Sequence, residues 1–160
     1  MWAKISITVA VVFAIAGQLR AAGLPPGTSP PSPSAATLNC SPALPGAMQD
    51  KWESLGQTDG RLGCGVEAPR STAPSPKGSI AHQAVFENGL IVQYDGGPLA
   101  GQAFAVYDCL YRLYFQYGGP GGWLGLPVGD ALNTPDGQKQ EFEGGHMRYL
   151  RTPDTCTAEQ

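Results

Sequence analysis

The sequence predicts a small α+β fold made of two tandem pseudo-repeats, each with a short amphipathic helix, a glycine-rich turn and a β-hairpin, stabilised by disulfides. Three observations predict it. Two parts of the chain match each other without a gap, because Trp52 falls on Tyr114 and Leu62 on Leu124, 62 positions apart in both cases. The 22 glycines and 15 prolines make turns dense. The four cysteines form an even set, as a disulfide framework requires.

The composition is slightly acidic and poor in charge. Charged residues make up 14% of the chain and the net charge is -3, whereas an average soluble domain has roughly 25% charged residues. Binding to nucleic-acid phosphates requires a basic stripe, so we do not expect a nucleic-acid partner. An apolar content of 42% is too high for a wholly disordered chain. These values favour a compact, turn-rich domain.

Residues 1–22 are interpreted as a secretory signal peptide. Lys4 supplies a positive charge, and residues 5–17 form an almost unbroken apolar run. This run fits the apolar region of a signal peptide and is shorter than the ~20 residues that a membrane span needs. Small residues allow cleavage after Ala16 or after Ala22. We therefore expect an extracellular protein without a membrane span once the signal is removed.

Residues 23–38 are interpreted as a tether. The segment is rich in proline and serine and has no charged side chain. Proline favours an extended polyproline conformation, and the segment has too few apolar residues to form a core. The folded domain is therefore predicted over residues 39–160, with repeat 1 at about 44–95 and repeat 2 at about 106–151.

Each repeat is predicted to begin with a helix. Met48, Trp52 and Leu55 follow the i, i+4, i+7 spacing of an apolar helix face, and Gly56 is placed to end the helix. The matching residues in repeat 2 are Leu110, Tyr114, Tyr117 and Gly118, with Asp108 as the expected N-cap.

Each helix is followed by a glycine-rich turn and then by a hairpin. In repeat 1 the predicted strands are 82–86 and 90–94, joined through Glu87-Asn88-Gly89. In repeat 2 they are 139–142 and 146–150, joined through Glu143-Gly144-Gly145. The Asn-Gly and Gly-Gly pairs predict type I′ turns. Repeat 1 is longer, and its extra residues fall in the polar segment 68–78, which indicates an exposed loop.

These motifs resemble the LGFP repeat, whose pattern is roughly V-x-G-x-I-x3-W-x2-L-G, then G-x-L-G-x-P, then F-x-x-G-x-I. Repeat 1 matches it at Leu44, Gly46, Met48, Trp52, Leu55, Gly56, Gly60, Leu62, Gly63, Phe86, Gly89 and Ile91. Repeat 2 matches it at Val106, Leu110, Tyr114, Gly122, Leu124, Gly125, Pro127, Phe142, Gly145 and Met147. Repeat 1 lacks the proline, and repeat 2 has Tyr114 for Trp and Asp108 for Gly. The resemblance implies an exported protein that binds cell-wall polysaccharide or peptidoglycan.

The cysteines indicate an oxidising compartment. Cys40, Cys64, Cys109 and Cys156 are spread over the candidate domain, and no two of them form a C-x-x-C pair, so a zinc site is not expected. Four cysteines allow three pairings, and all three remain open at this stage.

The candidate ligand-binding residues are one tryptophan, three tyrosines and one arginine. Trp123 stands where repeat 1 has Arg61, so this position is expected to face solvent. Trp123 is then placed either to stack on a sugar ring or to seal a gap in the core. Tyr94, Tyr117 and Tyr149 are secondary stacking candidates.

No catalytic motif is visible in the sequence. His82 and His146 occupy non-equivalent strand positions, and the residues next to them do not form a catalytic-triad motif. The sequence also contains no nucleophile elbow and no D-x-D-x-D calcium motif. We therefore expect neither an enzyme, nor a cofactor, nor a metal site. The favoured function is a secreted, non-catalytic wall-glycan binder. A secreted protein-interaction factor is the alternative, with a wall or secreted protein as partner, and a small hydrolase ranks last.

Overall fold

The computed structural model describes residues 40–160, so the predicted signal peptide and tether lie outside the described residues. The helices and strands in chain order are α1 (Gly46–Ser54), β1 (Arg70–Ser71), β2 (Ala81–Phe86), β3 (Gly89–Tyr94), β4 (Ala103–Tyr107), α2 (Asp108–Gln116), β5 (Leu132–Thr134), β6 (Gly137–Phe142), β7 (Gly145–Leu150) and β8 (Thr155–Glu159). A 3-10 turn follows each helix, at Gln57–Asp59 and at Gly119–Gly121.

The strands form two four-stranded antiparallel sheets, which we call sheet 1 (β1-β2-β3-β4) and sheet 2 (β5-β6-β7-β8). With two helices and two disulfides, the described part of the chain has the predicted disulfide-stabilised α+β class. The two predicted hairpins are the central pairs β2–β3 and β6–β7. The flanking strands β1, β4, β5 and β8 were not predicted. Strands β1 and β5 are short and mostly exposed and lack an alternating apolar pattern.

Sheet 1 is covered on both faces, and this explains why its strands β3 and β4 are almost continuously apolar. Met48 and Trp52 of α1 pack on one face, in a cluster with Ala84, Phe86, Ile91, Ala105 and Tyr107. Leu110 and Tyr114 of α2 pack on the other face, in a cluster with Leu90, Val92, Val106 and sheet-2 residues that include Phe142 and Met147. The layers are therefore α1, sheet 1, α2 and sheet 2, with α2 shared by both sheets.

Sheet 2 has one apolar face and one polar face. Phe142 and Met147 are buried in the cluster that contains α2, and the buried Gln140 on the same face donates to the Ala105 and Gly129 carbonyl oxygens. The strands alternate, so the intervening side chains point the other way. These are Lys139, Glu141, His146, Arg148 and Glu159, none of which is buried.

Both helices end where the glycines predict. Gly56 and Gly118 have φ of 93° and 92°, the left-handed conformation that glycine adopts after a helix. The predicted N-cap is wrong. Tyr107 occupies the N-cap of α2 and makes no side-chain capping bond. Asp108 instead has φ 58° and directs its carboxylate to Arg61.

The predicted type I′ turns are also wrong. Phe86 pairs with Gly89, so the loop is Glu87-Asn88, and neither residue has the positive φ that a type I′ turn requires. Gly89 is required for a different reason. A Cβ there would lie 2.5 Å from Leu62 Cδ2 and 2.5 Å from the Val106 carbonyl oxygen. The glycine thus allows the hairpin to approach its neighbours closely.

The structure selects one of the three disulfide pairings. Cys40–Cys64 joins the start of the described chain to the glycine-rich turn after α1, and Cys109–Cys156 joins the first turn of α2 to β8. The second bridge thereby connects the shared helix to the last strand. Within residues 40–160, neither helix has the length and apolar content that a bilayer span would need.

Candidate functional site

A cleft of about 390 Å³ opens between the first turn of α2, the β5–β6 pair and the segment after β7. Two of the five sequence candidates, Arg61 and Tyr149, lie in its wall. The other polar side chains of the wall are Tyr107, Asp108, Arg112, Asn133, Gln138, Arg151 and Asp154. The cleft therefore combines aromatic rings, guanidinium groups and side-chain amides around one volume.

Two neighbours hold Arg61 in place. Its guanidinium carbon lies 5.0 Å from the centre of the Tyr107 ring, and its Nη1 lies 3.3 Å from Asp108 Oδ2. Both partners of the ion pair are about half exposed, so the pair adds little stability. The contacts orient the guanidinium group and leave further N–H donors for a ligand.

Arg112 and Arg151 differ from the other described arginines. Arg61, Arg70 and Arg148 each have a carboxylate at salt-bridge distance. Within residues 40–160, neither Arg112 nor Arg151 has one, and the guanidinium group of Arg151 donates to the Pro135 carbonyl oxygen, at 3.4 Å. Two guanidinium groups without a carboxylate at salt-bridge distance thus line one cleft, whose wall also holds Asp108 and Asp154.

Tyr149 faces the cleft from β7 and packs with one side against the core. Its hydroxyl donates a hydrogen bond to the Asp154 carboxylate, and this bond raises the pKa of Tyr149. Because the hydroxyl stays protonated, Tyr149 presents a neutral ring to the cleft. Such a ring can stack on a sugar.

Trp123 and Tyr117 form a second, separate surface. Their rings meet edge to face with 5.6 Å between centroids. Tyr117 is 39% exposed, whereas Trp123 is partly buried and packs against the core cluster. Neither residue lines the cleft. Trp123 therefore seals part of the core, and its role in sugar stacking stays a prediction.

Tyr94 belongs to the core. It is 4% exposed and contacts Phe104 edge to face. Burial raises the pKa of its hydroxyl well above the usual range. The structure thus places the five candidates in three locations: Arg61 and Tyr149 in the cleft, Trp123 and Tyr117 on a separate surface, and Tyr94 in the interior.

Outside the cleft, His82 lies between Ser71 and Asp95. This arrangement was not predicted from the sequence, because the three residues lie in three separate segments of the chain. Within the described residues, no three His, Cys, Asp or Glu side chains are grouped so that they could hold a metal ion.

Sequence reasoning missed Arg112 and Arg151, although both lie close to cysteines in the chain. The pairing of Cys109 with Cys156 brings the first turn of α2 next to the residues after β7. If this pairing had been known, the sequence would have predicted that Arg112 and Arg151 lie close together. Because all three pairings were open, no signal in the sequence indicated that the two arginines are neighbours.

No protein-family model matches the chain, and no curated protein is significantly similar to it in sequence.

Proposed function

We propose that this chain is a secreted wall-binding module of two tandem LGFP-like repeats, and that its cleft binds an acidic wall glycan. The observation that carries the proposal is the cleft, where Arg112 and Arg151 lack a carboxylate partner within the described residues beside the rings of Tyr107 and Tyr149. The signal and tether interpreted in residues 1–38 support export and a spacer between the domain and a surface.

Equivalent hydrogen bonds in the two halves support the tandem-repeat part of the proposal. Trp52 Nε1 donates to the Gly63 carbonyl at 3.2 Å, and Tyr114 donates through its hydroxyl to the Gly125 carbonyl at 2.7 Å. The hairpin carboxylates also correspond. Glu87 accepts from the Cys64 N–H at 2.8 Å, and Glu143 accepts from the Leu126 N–H at 2.9 Å. Each helix and each hairpin is thus fixed to its glycine-rich turn by the same contacts.

The polar face of sheet 2 supports a module that ends after two repeats. In sheet 1 the cross-strand row Val85, Leu90 and Val106 is buried, and Leu90 and Val106 pack in the cluster that contains α2. The matching row of sheet 2 is Glu141, His146 and Glu159. Charged side chains at these positions prevent a third helix from packing there, and terminal units of repeat proteins characteristically carry such a polar outer face.

The chemistry of the cleft supports an acidic saccharide as ligand. Aromatic rings such as Tyr107 and Tyr149 offer a flat surface to a sugar, and the amides of Asn133 and Gln138 can donate to or accept from sugar hydroxyls. Guanidinium groups match carboxylates and phosphates through paired N–H donors. The shared ligand chemistry is therefore a glycan that carries carboxylate or phosphodiester groups.

A sedimentation assay on purified wall, stripped of protein by proteinase, tests the proposal. The double variant Arg112→Gln/Arg151→Gln is expected to lose tenfold or more in affinity, because a hydrogen bond to a charged group contributes about 1.5–3 kcal/mol. Lys139→Gln/Arg148→Gln is the control, since it removes two positive charges from exposed ion pairs outside the cleft. Equal retention of the double variant and the control would contradict the proposed site.

Chemical treatment of the wall identifies the acidic group. Reduction of carboxyl groups removes carboxylates, and hydrofluoric acid removes phosphodiesters. Retention is expected to fall after one of the two treatments, and retention that survives both would refute the acidic ligand. If binding instead disappears when wall proteins are stripped, the chain is an interaction factor with a wall protein as partner.

Trp123→Ala tests whether the second aromatic surface takes part. The partly buried ring makes a stability loss of about 2 kcal/mol reasonable, since a fully buried large side chain contributes about 3–5 kcal/mol. Retention on stripped wall, measured well below the melting temperature, should fall if Trp123 also stacks on sugar. Unchanged retention would assign Trp123 to the core alone.

A further inference from the structure

Three polar side chains at the edge of sheet 1 form a hydrogen-bonded chain that glycan binding does not use. Ser71 lies in β1 directly opposite His82 in β2, and Asp95 follows the end of β3. His82 Nδ1 lies 2.6 Å from Asp95 Oδ1, and His82 Nε2 lies 3.3 Å from Ser71 Oγ. Each ring nitrogen therefore has one partner.

The carboxylate determines the direction of these hydrogen bonds. An ionised carboxylate can only accept, so the proton of a neutral His82 ring is on Nδ1 and is donated to Asp95. Nε2 is then an acceptor, and the Ser71 hydroxyl donates to it. A histidine that donates from Nδ1 to a carboxylate and accepts at Nε2 from a serine hydroxyl is oriented to remove the proton of that serine.

The strand register adds a donor for the developing negative charge. The Thr72 N–H donates to the Ala81 carbonyl of β2, so Ser71 and His82 form a non-hydrogen-bonded pair. In such a pair the side chains are close together, and the N–H of Ser71 points away from β2 at the outer edge of the sheet. It can therefore donate to an oxyanion formed beside Ser71 Oγ.

We infer that Ser71 is a nucleophile activated by His82, with Asp95 as a positioning residue, and that it reacts with esters of short acyl groups. All three residues have substantial exposure, with 47% for the His82 side chain and 33% for Asp95. Ser71 is exposed in the two-residue edge strand β1, so the acyl group proposed is a small one such as acetyl. A shallow depression of about 360 Å³ beside Asp95, at residues 77–80 and 95–97, can receive the alcohol part of the ester.

The reaction is balanced by ester and solvent water alone. Ser71 Oγ forms a bond to the carbonyl carbon while its proton passes to His82 Nε2. The tetrahedral adduct then breaks its bond to the alcohol oxygen, which takes the proton from His82, and an acyl-serine remains. Water then attacks the acyl carbon while His82 accepts its proton. This second adduct breaks its bond to Ser71 Oγ, which takes the proton from His82, so the products are a carboxylic acid and the regenerated serine hydroxyl.

The second half of the described chain has no serine–histidine–aspartate group at the equivalent positions. Under the repeat alignment proposed above, Ser71, His82 and Asp95 correspond to Asn133, Gln138 and Arg151, which line the cleft. Amide side chains can bind a ligand but cannot act as a general base. Equivalent positions thus bind the glycan in the second half of the chain and hydrolyse an ester in the first half.

Labelling with a fluorophosphonate probe, which reacts with activated serines, tests the inference on the purified, disulfide-intact chain. We expect one labelled serine, identified as Ser71 by peptide mass spectrometry, and hydrolysis of p-nitrophenyl acetate that Ser71→Ala abolishes. His82→Gln introduces the residue present in the second half and should slow labelling by a factor of about 100 or more, as loss of a general base does. Asp95→Asn should slow it as well, with partial recovery in Asp95→Glu.

Controls separate reactivity from folding. Ser54→Ala removes an exposed serine that donates to a backbone carbonyl and has no histidine partner, so it should label like the parent chain. Because the three residues are largely exposed, all variants should melt within a few degrees of the parent. Absence of labelling in the parent, or equal labelling in Ser71→Ala or His82→Gln, would overturn the inference. None of these readouts involves the wall, so failure here leaves the binding proposal standing.

Discussion

The buried hydroxyl of Tyr114 gives a sharp test of how the second glycine-rich turn is held. Tyr114 is completely buried, and its hydroxyl donates to the Gly125 carbonyl at 2.7 Å. Gly125 is also buried and has φ 69°, a conformation that favours glycine. The bond therefore ties α2 to a backbone carbonyl with no solvent available as a replacement.

Tyr114→Phe removes only this hydroxyl and leaves the carbonyl without a partner. The cost of a buried polar group that loses its partner is about 1–3 kcal/mol, so we expect a loss of about 2 kcal/mol. For a domain of this size that corresponds to a decrease of about 8 °C in melting temperature. The ring remains, so its contact with Phe142, at 5.2 Å between centroids, is kept.

Tyr117→Phe is the matched control, because it deletes the same atom from a tyrosine that is 39% exposed. Its hydroxyl makes no hydrogen bond within the described residues, and the expected change is within about 0.5 kcal/mol. Both variants would be compared by urea denaturation and by thermal melting. If Tyr114→Phe is no less stable than Tyr117→Phe, the hydroxyl does not hold the turn and the reasoning is refuted.

Two further predictions concern alkaline pH and the disulfides. Burial raises the pKa of Tyr94, Tyr107, Tyr111 and Tyr114 in the folded chain. Above a pH of about 10 the unfolded chain loses these protons while the folded chain keeps them, so the free energy of unfolding should fall as pH rises past 10. Urea melts at pH 9, 10 and 11 measure this, and an equal slope in Tyr114→Phe would contradict it. For the disulfides, separations of 47 and 24 residues predict losses of about 4 kcal/mol for Cys109→Ala/Cys156→Ala and about 3.5 kcal/mol for Cys40→Ala/Cys64→Ala. Non-reducing peptide mapping checks the pairing, and a peptide that links Cys40 to Cys109 would show it to be wrong.

Elements with a local signal could be predicted from the sequence. The i, i+4, i+7 spacing of Met48, Trp52 and Leu55 located α1, because a helix buries one face. Gly56 marked the end of α1, because a residue in the left-handed conformation often follows a helix. The hairpin strands were found because their apolar residues are interrupted by short turn sequences. These signals depend only on neighbours within a few positions.

The remaining features depend on contacts between distant residues. The short strands β1 and β5 exist because they pair with β2 and β6, and nothing in their own composition requires a strand. The cleft results from the Cys109–Cys156 bridge and from packing of α2 on sheet 2. Asp108 was misinterpreted as a cap because its partner, Arg61, is 47 positions away.

The position of α2 determines how this protein can be divided. A fragment that ended at Tyr107 would leave Leu90, Val92 and Val106 facing water, because α2 covers them in the intact chain. The complementary fragment would keep α2 but expose the opposite side of that helix. The two halves of residues 40–160 therefore depend on each other for folding, and any fusion, display or exchange of parts should carry residues 40–160 together.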